Sequence, residues 1–170
     1  MNLLAKVSLS LALLLPVVAQ ALPEDRNKPV RILSDNAALD DAKGTVTYTG
    51  KVKLTQGTLE IEADKVVLYL VNGELTRAKA FGKPAHYQQL PSPNEPLTHA
   101  YGQTLDYDLS KETITAQENA KLTQAKDTFT GDKIIYDITQ RTVNASGGKS
   151  SNAGSGRVEM ILHPKQKTTE

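Results

Sequence analysis

The chain has 170 residues, of which 39% are hydrophobic, 23% charged and 5% aromatic, with no Trp, no Cys and a formal net charge of +1. That length holds one domain with a mostly aliphatic interior. The lack of Cys excludes disulfides, thiolate metal ligation, a Cys nucleophile and a lipid-modified N-terminal Cys, and near-neutrality argues against a nucleic-acid partner.

Residues 1–21 have the three parts of a cleavable secretory signal: Lys6 in a positive start, the apolar stretch Val7–Val18, and Ala19-Gln20-Ala21 as an A-x-A site. The apolar stretch is about 12 residues long, short of the roughly 20 that a membrane span needs. An exported protein beginning near Leu22 is expected, with residues 22–28 as a flexible lead.

From residue 29 the chain alternates apolar and polar residues. Pro29-Val30-Arg31-Ile32-Leu33 opens the pattern, followed by Val46-Thr47-Tyr48, Val52-Lys53-Leu54-Thr55 and Leu59-Glu60-Ile61-Glu62. Runs of this period describe half-buried strands, and helical spacing is not sustained anywhere after the signal. Turn signals recur at Gly44, Gly50, Gly57, Asn72-Gly73, Gly82, Pro91–Pro96, Gly131 and Gly147-Gly148. They divide the chain into about 15–16 short strands, an all-β sandwich, barrel or roll without crossover helices. Arg157-Val158-Glu159-Met160-Ile161-Leu162 closes the strand region, and residues 163–170 form a polar tail expected to be disordered.

The alternation contains a repeat. Lys53-Leu54-Thr55-Gln56 returns 68 residues later as Lys121-Leu122-Thr123-Gln124, and Asp64-Lys65-Val66-Val67 returns at the same offset as Asp132-Lys133-Ile134-Ile135. Weaker copies at Asp35 and Gln103 each precede these aspartates by 29 residues. A unit of that size cannot bury its own apolar face, so stacked units share one interior. Stacking leaves Val30, Arg31, Ile32 and Leu33 at one end and Val158, Glu159, Met160, Ile161 and Leu162 at the other, each with an unpaired backbone edge that is a template for another chain.

No catalytic constellation assembles. His86, His99 and His163 lack partners at metal-ligand spacing, no nucleophile elbow occurs, and Gly147-Gly148-Lys149-Ser150 fails the spacing of a phosphate loop. Asp64 and Asp132 sit just ahead of β runs, which suits a turn or strand start better than catalysis. The chain is therefore expected not to be an enzyme and to need no metal or cofactor. What remains is the apolar face: Val30, Ile32, Val46, Tyr48, Val52, Leu54, Leu59, Ile61, Val66, Leu68, Ala85, Tyr87, Leu105, Tyr107, Leu109, Ile114, Leu122, Phe129, Ile134, Tyr136 and Val143. An ordinary sandwich core satisfies this pattern, and so does a roll with an unfilled aliphatic trough, which the scarcity of large aromatics favours.

Several stretches, in order, resemble a known family. They are Pro29–Asp35, Tyr48-Thr49-Gly50-Lys51-Val52-Lys53-Leu54-Thr55-Gln56-Gly57, Ile61–Val67, Gly82-Lys83-Pro84-Ala85-His86-Tyr87 and Gly131–Ile134. Over residues 29–162 the chain resembles the OstA-like β-jellyroll family of periplasmic lipopolysaccharide-transport proteins of Gram-negative bacteria. The resemblance implies an open, twisted antiparallel β-jellyroll that holds lipid A acyl chains between its sheets, in the periplasm. Val30, Ile32, Tyr87, Leu105, Tyr107 and Leu109 match the family's inward, lipid-contacting positions. The implied partners are lipopolysaccharide, an inner-membrane transport component with a related β-roll, the N-terminal periplasmic domain of the outer-membrane translocon, and further copies of the chain joined head to tail. The rival reading is a structural β-roll that polymerises without lipid cargo.

Overall fold

The computed structural model describes residues 25–148 and 156–164. A 3₁₀ turn, Asp25–Asn27, precedes ten strands: β1 (Arg31–Leu33), β2 (Asn36–Asp40), β3 (Thr45–Gln56), β4 (Leu59–Val71), β5 (Glu74–Gln89), β6 (Thr98–Asp108), β7 (Thr113–Gln124), β8 (Asp127–Asp137), β9 (Thr142–Ser146) and β10 (Glu159–Ile161). Every pairing is antiparallel, and the order is β1-β3-β4-β5-β6-β7-β8-β10, with β2 also on β3 and β9 also on β8. Sequential strands are neighbours, so short hairpins connect them. Asn72 and Gly73, at φ 53° and 82°, close the β4–β5 hairpin with the two-residue turn whose positive dihedrals match the natural strand twist.

The long strands bend near their middles. The register jumps between Thr49 and Val52 in β3, Glu62 and Lys65 in β4, Phe81 and Ala85 in β5, Tyr101 and Thr104 in β6, and Gln117 and Ala120 in β7. Gly50 takes φ 86° at the first bulge, where a Cβ would strike the Asp35 carboxylate, and at Gly102 a Cβ would lie 2.7 Å from the Gln117 carbonyl oxygen. Bulges turn a strand and deepen its twist. Each long strand therefore serves two layers. β1 pairs with the C-terminal half of β3 and β2 with its N-terminal half, while β10 and β9 divide β8 in the same way.

This corrects the strand count. The 15–16 short strands expected from the turn signals are ten strands, because Gly50, Gly82 and Gly131 lie inside strands rather than between them. A glycine at a bulge and a glycine at a turn answer the same backbone demand, and the sequence does not tell them apart. The short runs correspond to half-strands. The repeat gains a meaning as well: Asp64, Gln103 and Asp132 lie within β4, β6 and β8 near the bends, and Asp35 lies between β1 and β2. Asp64 and Asp132 therefore do not start strands.

One core fills the space between the layers. Its buried side chains include Val52, Leu54, Ile61 and Tyr87 from the first layer and Val66, Leu68, Tyr107, Ile114 and Tyr136 from the second. The rings of Tyr87 and Tyr107 meet across the gap, 5.9 Å apart and tilted by 49°. The middle of the interior is closely packed, with Val66, Ala85 and Tyr87 0% exposed. Ala78, Ala80, Ala85, Ala100, Ala116 and Ala120 all face inward, and such small side chains let the layers approach. Closure removes apolar surface from water at about 25 cal/mol per Å².

The flexible lead suggested by the sequence is docked over residues 25–28. Asp25 is buried and accepts a hydrogen bond from the Thr58 hydroxyl, and the Gln56 side-chain amide donates to the backbone oxygens of Arg26 and Lys28, both at 3.1 Å. The segment carries no strand periodicity because side-chain contacts hold it, not a ladder. The signal sequence expected over residues 1–21 and most of the polar tail expected over 163–170 lie outside the described residues.

Candidate functional site

The registers align the inward side chains into two rows that cross the strands. In the first layer the row is Ile32, Leu54, Ile61, Tyr87, Ala100, Leu122, Phe129 and Met160, each directly opposite the next. In the second it is Leu39, Val46, Leu68, Ala78, Tyr107, Ile114, Tyr136 and Val143. Both rows run unbroken from one edge of the sheet to the other. At the usual interstrand spacing each spans roughly 34 Å.

Most inward positions expected from the alternation are buried: Val52, Leu54, Leu59, Ile61, Val66, Leu68, Tyr87, Leu105, Tyr107, Ile114, Leu122, Ile134 and Tyr136. Ile32, Val46, Tyr48, Leu109 and Phe129 are half-buried and pack against this cluster. Val30 departs from the pattern. It precedes the first ladder pair and is an exposed residue at the mouth of a cavity of about 450 Å³, whose lining includes Arg26, Gln56, Leu75, Leu109 and Ser110.

Exposure rises toward both ends of the rows. Met160 is 53% exposed and Leu39 70% exposed, although both stand on the inward face. Leu33, Val158, Ile161 and Leu162 are also exposed at these edges, so most of the large exposed hydrophobics among the described residues gather there. The edge strands named from the sequence thus carry bare backbone together with bare apolar side chains.

Opposite the bends, the free ends of the two layers face one another along a seam that side chains bridge. At one point the Arg26 guanidinium donates to the Leu109 backbone oxygen at 2.7 Å and pairs with Glu112, while Gln56 of the opposite layer holds the backbone oxygens of Arg26 and Lys28 and Thr58 holds the Asp25 carboxylate. At another, Arg141 pairs with Glu95 at 2.9 Å. These residues escaped the sequence reading. Glu95 lies in the proline-rich insertion, and the paired groups are 46 residues apart, with no local signal joining them.

The phenols under the seam are held neutral. Burial pushes the Tyr107 hydroxyl up to about 12, and burial also raises Tyr87, whose hydroxyl donates to Gln89 at 2.7 Å. Burial raises the Tyr136 phenol too, whose hydroxyl lies beside the Thr98 and Gln124 side chains. On the outer face, His86 and His99 sit 3.1 Å apart beside Tyr101, and burial together with the charge of His99 lowers His86. No group of three or more metal-ligating side chains occurs among the described residues.

Residues 31–142 match the family model described as LptA/(LptD N-terminal domain) LPS transport protein. The lipopolysaccharide export system protein LptH of Pseudomonas aeruginosa is 38% identical over 153 residues, covering 88% of this chain and 87% of the relative. The lipopolysaccharide export system protein LptA of Escherichia coli K12 is 33% identical over 168 residues, covering 95% and 88%. The crystal structure of P. aeruginosa LptH, described as the LptA-homologous periplasmic component of the lipopolysaccharide transport device, superposes with a TM-score of 0.76 at 35% identity, covering 84% of this chain and 100% of that one.

Proposed function

The chain belongs to the LptA/(LptD N-terminal domain) family of lipopolysaccharide transport proteins, and from that membership we propose that it is a periplasmic lipopolysaccharide carrier and bridge. The observation that carries this reading is the pair of apolar rows that run without interruption from edge to edge. A lipid A molecule bears several acyl chains, and each methylene left in water costs about 0.8 kcal/mol, so an aqueous compartment is a steep barrier to it. Acyl chains lying between the rows exchange water for Leu, Ile, Val, Ala and Tyr side chains, while the sugars stay outside the seam. Because the side chains meet across the layers, loading parts the layers along the seam. The seam is held by side-chain contacts and not by a backbone ladder, so parting it leaves every strand pairing intact.

The two edges complete the reading. β10 of one copy adds to β1 of the next through main-chain hydrogen bonds, the geometry of strand addition. The contact is heterologous and does not close on itself, so it builds a line of copies with their rows in register. The same edges serve an inner-membrane component with a related β-roll at one end and the N-terminal periplasmic domain of the outer-membrane translocon at the other. Neighbouring copies offer the cargo similar surroundings, so the bridge lowers barriers and imparts no direction. No covalent bond is made or broken in this activity, and it needs no cofactor.

Photocrosslinking tests the reading against the cargo-free structural roll. Benzoylphenylalanine replaces the inward Tyr48 or Phe129 in one set of variants and the outward Thr47 or Thr130 in another. The inward set is expected to capture lipopolysaccharide and the outward set not. Equal capture by both sets, or by neither, contradicts the proposal.

A further inference from the structure

The outer face of the first layer carries a difference between the two halves of the repeat. At the 68-residue offset Lys53 corresponds to Lys121, Gly50-Lys51 to Glu118-Asn119, and Glu60 and Glu62 to Thr128 and Thr130. Lys53 is neutralised, with Glu60 at 2.9 Å and Glu62 at 3.2 Å. Thr130 stands directly opposite Lys121 just as Glu62 stands opposite Lys53, so Lys121 lacks both carboxylates. Neither Lys121 nor Lys83 makes an ion pair among the described residues.

The backbone differs at the same place. Gly50 and Lys51 take φ of 86° and 45° at the first bulge, and Glu118 and Asn119 take 63° and 61° at its repeat counterpart. Positive φ is natural for glycine and tolerated by asparagine, but it strains glutamate. The second half thus keeps a strained glutamate where the first half has a glycine, and strain of this kind gathers at ligand sites.

These residues meet at one cavity. Its volume is about 620 Å³, and its lining includes Lys83, Tyr101, Gln103, Glu118, Asn119 and Lys121. That volume falls in the range of small-molecule sites. The register jumps of β5, β6 and β7 place it at the bends. Its counterpart in the first half, whose lining includes Lys51, Lys53, Glu62 and His86, is about 360 Å³, and Pro84 borders both. The Tyr101 ring is held in place by stacking on His86, 4.6 Å away and within 8° of parallel. Two unpaired ammonium groups attract a carboxylate or phosphate. The Gln103 and Asn119 amides and the Glu118 carboxylate bring donors and acceptors together, which suits hydroxyls that both donate and accept.

We infer that this cavity binds an acidic saccharide. Lys83 and Lys121 hold its anionic group, Gln103, Glu118 and Asn119 hold its hydroxyls, and the Tyr101 ring packs against its C–H face. The site goes beyond the carrier function and does not depend on it. It lies opposite the seam, and none of its residues belongs to β1 or β10, so loading and assembly leave it open.

Calorimetric titration of the full chain tests the inference with three sugars. One is the carboxylated disaccharide of N-acetylglucosamine and N-acetylmuramic acid, one is the phosphorylated oligosaccharide of lipopolysaccharide freed of its acyl chains, and one is the neutral diacetylchitobiose. The parent is expected to bind at least one acidic sugar, and the neutral sugar about 10-fold more weakly. Lys83→Gln and Lys121→Gln should each weaken the acidic sugar about 10-fold, the loss of one charge-assisted hydrogen bond. Thr128→Glu, which offers Lys121 the partner that Glu60 gives Lys53, should weaken it similarly, and Lys53→Gln should stay within twofold. The acidic sugar that binds identifies the source, a wall glycan or the sugar of the cargo. Absence of binding by both acidic sugars overturns the inference. So does equal binding of the neutral sugar, or a loss in Lys53→Gln equal to that in Lys121→Gln. The carrier function is read separately, by the crosslinking of inward positions, which these outer substitutions leave unchanged.

Discussion

The central strands and the two edges of the sheet carry the same alternation and end up in opposite environments. Leu54, Ile61, Tyr87 and Leu122 are at most 2% exposed, whereas Met160, in the same row, is 53% exposed. Pattern alone does not decide burial. An inward residue is covered only where neighbours stand on both sides and a second layer lies opposite, and each edge lacks one neighbour. The centre therefore holds the fold together, and the edges keep unspent apolar surface and backbone for a further chain.

The largest effect expected from this contrast comes from placing one charge in each region. Ile61→Asp buries a carboxylate among aliphatic side chains, and the protein is expected to lose more than about 4 kcal/mol and to be largely unfolded by circular dichroism at 25 °C. Ile32→Asp sits in the same row on the half-exposed edge strand. Its melting temperature should stay within about 4 °C of the parent, while light scattering shows the loss of concentration-dependent association. If both variants unfold, or if neither does, the centre and the edges are not energetically distinct.

A smaller effect is expected from alkaline pH. Burial raises Tyr107 to about 12 from an ordinary value of 10.0. The fold therefore prefers the neutral phenol, and the contribution is constant below pH 10. Between about pH 10 and 12 the unfolded chain ionises first, so stability falls by up to about 3 kcal/mol. Tyr107→Phe should flatten that decline in urea melts, and an identical decline in parent and variant contradicts the burial of this side chain.

The contrast between centre and edges also separates what was legible in the sequence from what was not. Alternation located the inward faces of β3, β4, β6 and β8 because the side-chain period of a strand is fixed at two. It also located both edge strands, through apolar runs at the ends of the pattern. The bends were read as turns, since Gly50 and Gly82 signal positive or crowded backbone without saying whether the chain reverses. Of the six inward alanines only Ala85 was read from the alternation, because alanine counts as weakly apolar in a linear pattern, yet all six let the layers approach. The seam was missed entirely: Arg26 with Glu112 and Arg141 with Glu95 join distant residues on irregular segments. Val30 lies just ahead of the first ladder pair and lines the cavity with Leu75 and Leu109.

The central claim is that cargo enters by parting the two layers along the seam, and the distance across the seam tests it most directly. The natural chain has no Cys, so Lys126→Cys in the β7–β8 turn and Gln140→Cys in the β8–β9 turn accept two spin labels cleanly. Pulsed electron–electron resonance with and without lipopolysaccharide should show the interlabel distance lengthening on loading. Retention of lipopolysaccharide at an unchanged interlabel distance contradicts the account.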